Sequence, residues 1–195
     1  MEITAKQVKE LRDRTLASMA DCKKALEESG GDFAKAEEIL RRRGKQVAEK
    51  RAGKEATQGI VECYVHSNKK IGVLIELNCE TDFVAKNETF KELAHDIALH
   101  VASMDPQYLD VQDIPQDLLA KKKNEFAEEL NNSGKPQAVQ DQIIEGKLKK
   151  FSEEISLLEQ PFVKNPEQKV KDLVSEYMGK IGEKIKIGRF VRLEI

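Results

Sequence analysis

The chain has 195 residues, 39% of them hydrophobic and 35% charged, with a formal net charge of -2 and no tryptophan. That suits one medium domain, or a small domain beside a larger one, with an aliphatic core, and it excludes the global positive field of a nucleic-acid binder. No apolar run approaches the ~18 residues of a membrane span and no signal-peptide apolar stretch opens the chain; Cys22, Cys63 and Cys79 lack C-x-x-C spacing, so reduced, buried thiols in a cytoplasmic protein are expected.

Residues 1–44 read as a compact three-helix module. Thr4 and Gln7 have capping-box spacing, with Ile3 and Val8 as the flanking staple. A second short helix runs from about Met19 to Ser29, carries Met19, Cys22 and Leu26 on one side, and stops at Gly30-Gly31. Asp32 is placed to cap a third, with Phe33, Ala36, Ile39 and Leu40 at 3–4 spacing. A bundle this small holds no active-site cleft and reads as a binding module. Residues 45–55 read as a basic helical linker containing Lys45, Lys50, Arg51 and Lys54, with Arg41-Arg42-Arg43 just ahead. No aromatics interleave for base stacking, and Glu49 and Glu55 interrupt the charge.

Residues 56–195 read as the core domain, where the pattern switches to strands. Ile60, Glu62, Tyr64 and His66 share one face, and Val61, Cys63 and Val65 the other. Ser67-Asn68-Lys69-Lys70 turns the chain into a second strand, in which Ile71, Val73, Ile75, Leu77 and Cys79 alternate. Thr81-Asp82-Phe83-Val84 is then a polar junction with one large aromatic in it. A helix follows from near Asn87, carrying Phe90, Leu93, Ala94, Ile97, Ala98 and Val101. Phe83 belongs to neither pattern. It is either a staple folded back on the next helix or an exposed anchor, with Asp82 beside it, for a partner's pocket. His95 and His100 lie off the i, i+4 spacing of paired ligands, so no metal site is expected.

Residues 113–158 read as a helical hairpin, its helices at 113–131 and 136–158 joined by Asn131-Asn132-Ser133-Gly134. Leu119, Phe126 and Leu130 mark the first helix, and Val139, Ile143, Leu148, Phe151, Ile155 and Leu158 form a near-heptad seam on the second. The seam closes within the chain or pairs with another chain. Asn165-Pro166 is expected to start a last helix bearing Val170, Leu173, Val174, Tyr177, Met178 and Ile181, ended by Gly182. Ile185, Ile187, Val191, Leu193 and Ile195 then alternate in a third strand, broken at Gly188 by a bulge. The expected fold class is α+β: a three-helix module, a helical linker, and a three-stranded antiparallel sheet covered on one face by helices. The other face could be covered by a second copy.

No enzyme constellation is visible. The chain has neither G-x-x-x-x-G-K-[S/T] nor G-x-G-x-x-G, no serine or cysteine has a local base signature, and the Asp82 and Glu88 carboxylates lack a cleft. No cofactor is expected.

The string T-D-F-V-A-K-N-E-x-F from Thr81 to Phe90 resembles the signature of the bacterial elongation factor Ts family. Four further stretches resemble it in the family's order: Val8 to Thr15, Met19 to Leu26 with Gly31-Asp32, Leu157 to Lys164, and Gly188 to Glu194. The resemblance spans almost the whole chain. It implies a guanine-nucleotide exchange factor that binds GDP-loaded elongation factor Tu, dislodges its Mg2+ and promotes GDP release. It further implies that Thr81, Asp82, Phe83 and Val84 form the group that binds the partner and displaces the ion. The N-terminal module would be similar to a ubiquitin-associated (UBA-like) fold and would contact the GTPase's nucleotide-binding domain through Arg12 and Met19. In length the chain resembles the short form, in which two copies dimerise and clasp two GTPase molecules in a 2:2 complex. No cysteine lies between Lys184 and Ile195 to link such a dimer covalently. Thr15-Leu16-Ala17-Ser18 departs from the family's usual T-G-A-G, and Ala20 stands where a second methionine is frequent. No direct contact with nucleic acid or membrane is expected. The competing reading is a passive adaptor, a recognition module on a dimerising scaffold that binds without altering nucleotide affinity.

Overall fold

A computed structural model describes residues 3–15, 17–130 and 136–195. Leu16, and the Asn131-Asn132-Ser133-Gly134 link expected in the hairpin, lie outside the described residues.

Three helices open the chain: α1 (Ala5–Thr15), α2 (Met19–Glu28) and α3 (Phe33–Arg51). The capping box forms as expected, with the Gln7 N–H donating to Thr4 Oγ1 at 3.3 Å and the Thr4 N–H to Gln7 Oε1 at 2.9 Å. Ser18 caps α2, Asp32 caps α3, and Gly30 and Gly31 turn the chain between them at φ of 67° and 89°, where a side chain would be strained. Val8, Leu11, Ala17, Cys22, Ala25, Leu26 and Ala36 form the module's own core. Met19 is not part of it: as the first residue of α2 it remains exposed, and Ala25 takes the place it was expected to share with Cys22 and Leu26.

The third helix does not stop after Leu40. It continues to Arg51, so the basic segment is helical as expected but forms the last turns of the same helix, and Gly44 is buried against α8 (Val170–Ile181). Gly44 and Gly179 meet backbone to backbone; a Cβ on Gly179 would lie 2.6 Å from the Gly44 Cα. That approach ties the N-terminal helices to the rest of the molecule.

Strands β1 (Gln58–Val65), β2 (Ile71–Cys79) and β5 (Ile185–Glu194) form an antiparallel sheet in the order β1-β2-β5. Ile187 pairs with Leu77 and Phe190 with Ile75, so Gly188 and Arg189 together oppose Glu76, which is the expected bulge. The bulge swaps faces: Ile185 and Ile187 point inward before it, Val191 and Leu193 outward after it. The inner face packs under α5 (Glu88–Met104), capped by Asn87, burying Val73, Ile75, Leu77, Phe90, Leu93, Ile97 and Val101 with Leu173 and Val174 of α8. The outer face keeps Val61, Val65, Leu74, Val191 and Leu193 exposed. Cys63 is exposed there too; of the three thiols expected to be buried, only Cys22 and Cys79 are.

Helices α6 (Gln116–Leu130) and α7 (Gln137–Ile155) pair antiparallel within the chain: Lys122 lies over the Phe151 ring, Lys147 over Phe126, and Lys147 bonds Glu129. The expected seam is displaced, with Ile144 rather than Ile143 buried and Leu158 beyond the helix end. The last helix also differs from expectation. Asn165–Lys169 is a strand, β4, paired with β3 (Pro161–Phe162), and α8 starts only at Val170. Asn-Pro imitates a helix start, but burial of Phe162 draws this segment into a hairpin, and the Val170 N–H bonds back to Gln160 O at 3.1 Å.

His100, fully buried in α5, pins this hairpin. Its Nδ1 accepts the Val163 N–H at 3.1 Å and its Nε2 lies 2.9 Å from Gln160 Oε1, so the neutral ring satisfies both partners. Burial holds its pKa below the ordinary imidazole value, with the Gln160 bond opposing in part. Above the unfolded pKa of about 6.5 both states are neutral and stability is full. As pH falls below it, the unfolded chain takes up a proton that the native chain refuses, and stability drops by up to about 1.4 kcal/mol per pH unit. Thermal midpoints between pH 7.5 and 5.5 should fall accordingly, and a His100→Gln variant should lose that part of the slope.

Candidate functional site

The junction after β2 is not a loose loop. Asp82–Ala85 forms a single helical turn, α4, with Thr81 as N-cap: the Val84 N–H points at Thr81 Oγ1 at 3.4 Å. Val84 and Ala85 turn inward onto the core, and the other two residues point out. Phe83 is 80% exposed, an unusual position for a phenylalanine. It does not pack on the first turn of α5, so the folded-back staple is not what forms. Asp82, also exposed, accepts a 2.8 Å bond from Lys86 Nζ, which holds its carboxyl below the usual carboxylate range.

A set of carboxylates sits beneath this turn. Glu183, just after the left-handed Gly182 that ends α8, accepts the N–H groups of Glu80 and Thr81 at 3.1 and 3.0 Å and the Thr81 hydroxyl at 2.7 Å. Glu80 in turn accepts the Lys184 N–H at 2.6 Å and both of its oxygens are bonded by Arg51 Nη1 at 3.1 and 2.9 Å. Lys184 Nζ donates to the carbonyls of Ala52 and Lys54. The end of α3, the end of β2 and the start of β5 therefore meet directly under α4. Cys79, buried here, donates to Thr81 O at 3.1 Å, and burial together with the nearby Glu183 carboxylate pushes its thiol pKa up.

Of the residues singled out from sequence, Thr81, Asp82, Phe83 and Val84 are together on one turn. Arg12 and Met19 are both exposed, in α1 and at the start of α2, and no hydrogen bond or ion pair among the described residues joins them to α4. Sequence reasoning missed Glu183 and gave Glu80 and Arg51 no role. One signal for Glu183 was present: an acidic residue directly after a helix C-terminus opposes the helix dipole, and its presence there asks for another partner.

Exposed phenylalanine beside an ionised carboxylate, on a turn fixed from below, is suited to entering another protein's surface. Among the described residues no group of histidine, cysteine or carboxylate side chains could hold a metal ion, and no helix is long and apolar enough to cross a membrane. The family model described as Elongation factor TS matches residues 1–195. The chain is 52% identical over 195 residues to the elongation factor Ts of Thermodesulfovibrio yellowstonii, covering all of this chain and 97% of that protein. It is 54% identical over 193 residues to that of Thermosipho melanesiensis, covering 99% and 98% of the two chains. For the elongation factor Ts of Carboxydothermus hydrogenoformans the identity is 52% over 193 residues, with 99% and 89% covered.

Proposed function

The chain belongs to the elongation factor Ts family, and from that premise we propose that it is a cytoplasmic guanine-nucleotide exchange factor for elongation factor Tu, which binds the GDP-loaded GTPase, dislodges Mg2+ and releases GDP so that GTP can enter. A GTPase grips its nucleotide through backbone amides around the phosphates and a bridging magnesium ion. A factor that prefers the nucleotide-free state must weaken nucleotide binding by the same coupling free energy. No bond is made or broken in this chain. Phe83 wedges into the GTPase near the magnesium site, Asp82 perturbs the polar groups that hold the ion, and Thr81 and Val84 set the wedge. The exposure of Phe83 on a capped turn is the observation that carries this reading.

Asp82 must exchange Lys86 for a partner's group to do so, and that is inexpensive because both members of the pair are more than half exposed. The N-terminal module supplies a second contact through Arg12 and Met19, both solvent-facing. The test is release of a fluorescent GDP analogue from elongation factor Tu at fixed Mg2+. Acceleration by substoichiometric amounts of this protein supports exchange; binding without acceleration leaves the passive adaptor.

We also propose that a second copy covers the outer face of the sheet, giving a 2:2 complex with the GTPase. Cys63, Leu74 and Val191 lie side by side across the three strands, with Val65 and Leu193 in a neighbouring row. A two-fold interface uses the same patch on both copies, so an exposed apolar face can be covered by its own counterpart. Leu193→Lys should convert a dimer to a monomer in sedimentation at micromolar concentration, with the thermal midpoint of the monomer lowered; a wild-type protein that sediments as a monomer would overturn the proposal.

A further inference from the structure

We propose that Glu183 is a positioning residue for nucleotide exchange: by holding the backbone and hydroxyl at the entrance of α4, it fixes the direction in which Phe83 and Asp82 are presented. This rests on the reading that α4 carries the exchange activity.

A one-turn helix cannot hold its own orientation, because nucleation costs more than a single turn of hydrogen bonds returns. The direction of α4 must therefore come from what grips its ends. At its far end Ala85 is buried and Asn87 caps the next helix. At its near end the Cys79 thiol holds the Thr81 carbonyl, and three further bonds converge on one side chain more than a hundred residues away in sequence. The Glu183 carboxylate takes the Glu80 and Thr81 N–H groups on one oxygen and the Thr81 hydroxyl on the other. These are charge-assisted bonds, roughly twice as strong as neutral ones.

Polarity matters as much as strength. An ionised carboxylate only accepts, so the Thr81 hydroxyl must spend its proton on Glu183 and turn its lone pairs to the Val84 N–H, which is the cap that starts α4. One acceptor thereby sets the sense of both bonds of the Thr81 hydroxyl, the second of which reaches the residue after Phe83. The clasp is reciprocal: Glu183 holds the backbone at 80–81, while Glu80 holds the Lys184 N–H and is itself anchored by Arg51. The strands it joins are already paired, Cys79 opposite Ile185 and Asn78 opposite Lys186. Removing the carboxylate therefore leaves the sheet intact and frees the turn.

The experiment uses the full chain and the variants Glu183→Ala and Glu183→Gln, each alone and with Phe83→Ala. Three quantities are read: stimulated release of a fluorescent GDP analogue from elongation factor Tu, the thermal midpoint, and amide hydrogen exchange of Thr81 to Ala85 in the free protein. Glu183→Ala should lower stimulated release about 10- to 100-fold and speed exchange of the α4 amides at least tenfold, with the midpoint within a few degrees of wild type. Glu183→Gln has the same shape and keeps one acceptor but presents an NH2 group to Thr81, and should fall between the two. In the Phe83→Ala background neither change should lower release further, because the residue acts through the phenylalanine. Release unaffected by Glu183→Ala, losses that add to those of Phe83→Ala, or α4 amides that exchange no faster would each overturn the proposal. If the wild-type protein fails to accelerate release, the exchange reading itself falls, and that result is distinct from unchanged amide exchange, which refutes the positioning role alone.

Discussion

Phe83→Ala is expected to remove most of the acceleration of GDP release while leaving the protein folded. The side chain is 80% exposed and makes no part of either core, so its loss should cost the fold almost nothing. Most of its apolar area is available to be buried in a partner. Filling a pocket with a phenylalanine at the centre of an interface is worth about 2–4 kcal/mol, on the order of a hundredfold in the stabilisation of the nucleotide-free complex. Because exchange depends on preferring that complex, the loss should appear in the rate of stimulated release at saturating factor and not only in affinity. Phe83→Leu, which keeps apolar bulk without the planar ring, should retain an intermediate rate. Stopped-flow release of a fluorescent GDP analogue, with circular dichroism as the control for folding, decides the matter; release unchanged in Phe83→Ala would reject the wedge.

The second large effect concerns stability. Gly179→Ala should destabilise the protein by about 2–3 kcal/mol, lowering the thermal midpoint by roughly 5–10 °C. The new Cβ would come within 2.6 Å of the Gly44 Cα, and a backbone atom on a helix cannot rotate away as a side-chain tip can. The two helices must move apart along their whole contact, which also loosens the joint between the N-terminal module and the sheet. A matched control sharpens the test. Gly146 lies inside α7 with nothing within 4 Å of where its Cβ would be, so Gly146→Ala should stabilise by about 0.5–1 kcal/mol. The same substitution should therefore act with opposite sign at two helical glycines, as read by thermal melts of both variants.

Much of the fold was legible because each buried face repeats at the period of its element. The alternation from Ile71 to Cys79, the stripe from Phe90 to Val101 and the caps at Thr4, Asp32 and Asn87 all rest on local rules, and all appear in the structure. The failures share a cause. Asn165-Pro166 satisfies the local rule for a helix start, yet its conformation is decided by pairing with Pro161–Phe162 and by where Phe162 is buried. Cys63 already fell on the face shared by Val61 and Val65; alternation separates two faces but does not tell which of them the helices cover. Spacing puts Met19 on the side of Cys22 and Leu26, whereas its place at the very start of α2 leaves it open. At the candidate site, the exposed turn was legible from Phe83 fitting neither neighbouring pattern. The Glu183 clasp beneath it was not, since its two halves stand at opposite ends of the core domain's sequence and only the pairing of β2 with β5 brings them together.

The unbroken course of α3 has a consequence for how this protein can be rebuilt. From Phe33 to Arg51 a single 19-residue helix runs from the N-terminal core, past Gly44, to the guanidinium that anchors Glu80. One inserted residue would advance everything upstream by about 1.5 Å and rotate it by about 100°. The helix therefore behaves like a keyed shaft, transmitting angular phase as well as distance between the module bearing Arg12 and Met19 and the turn bearing Phe83. Modules exchanged between relatives must be spliced in helical register with Gly44.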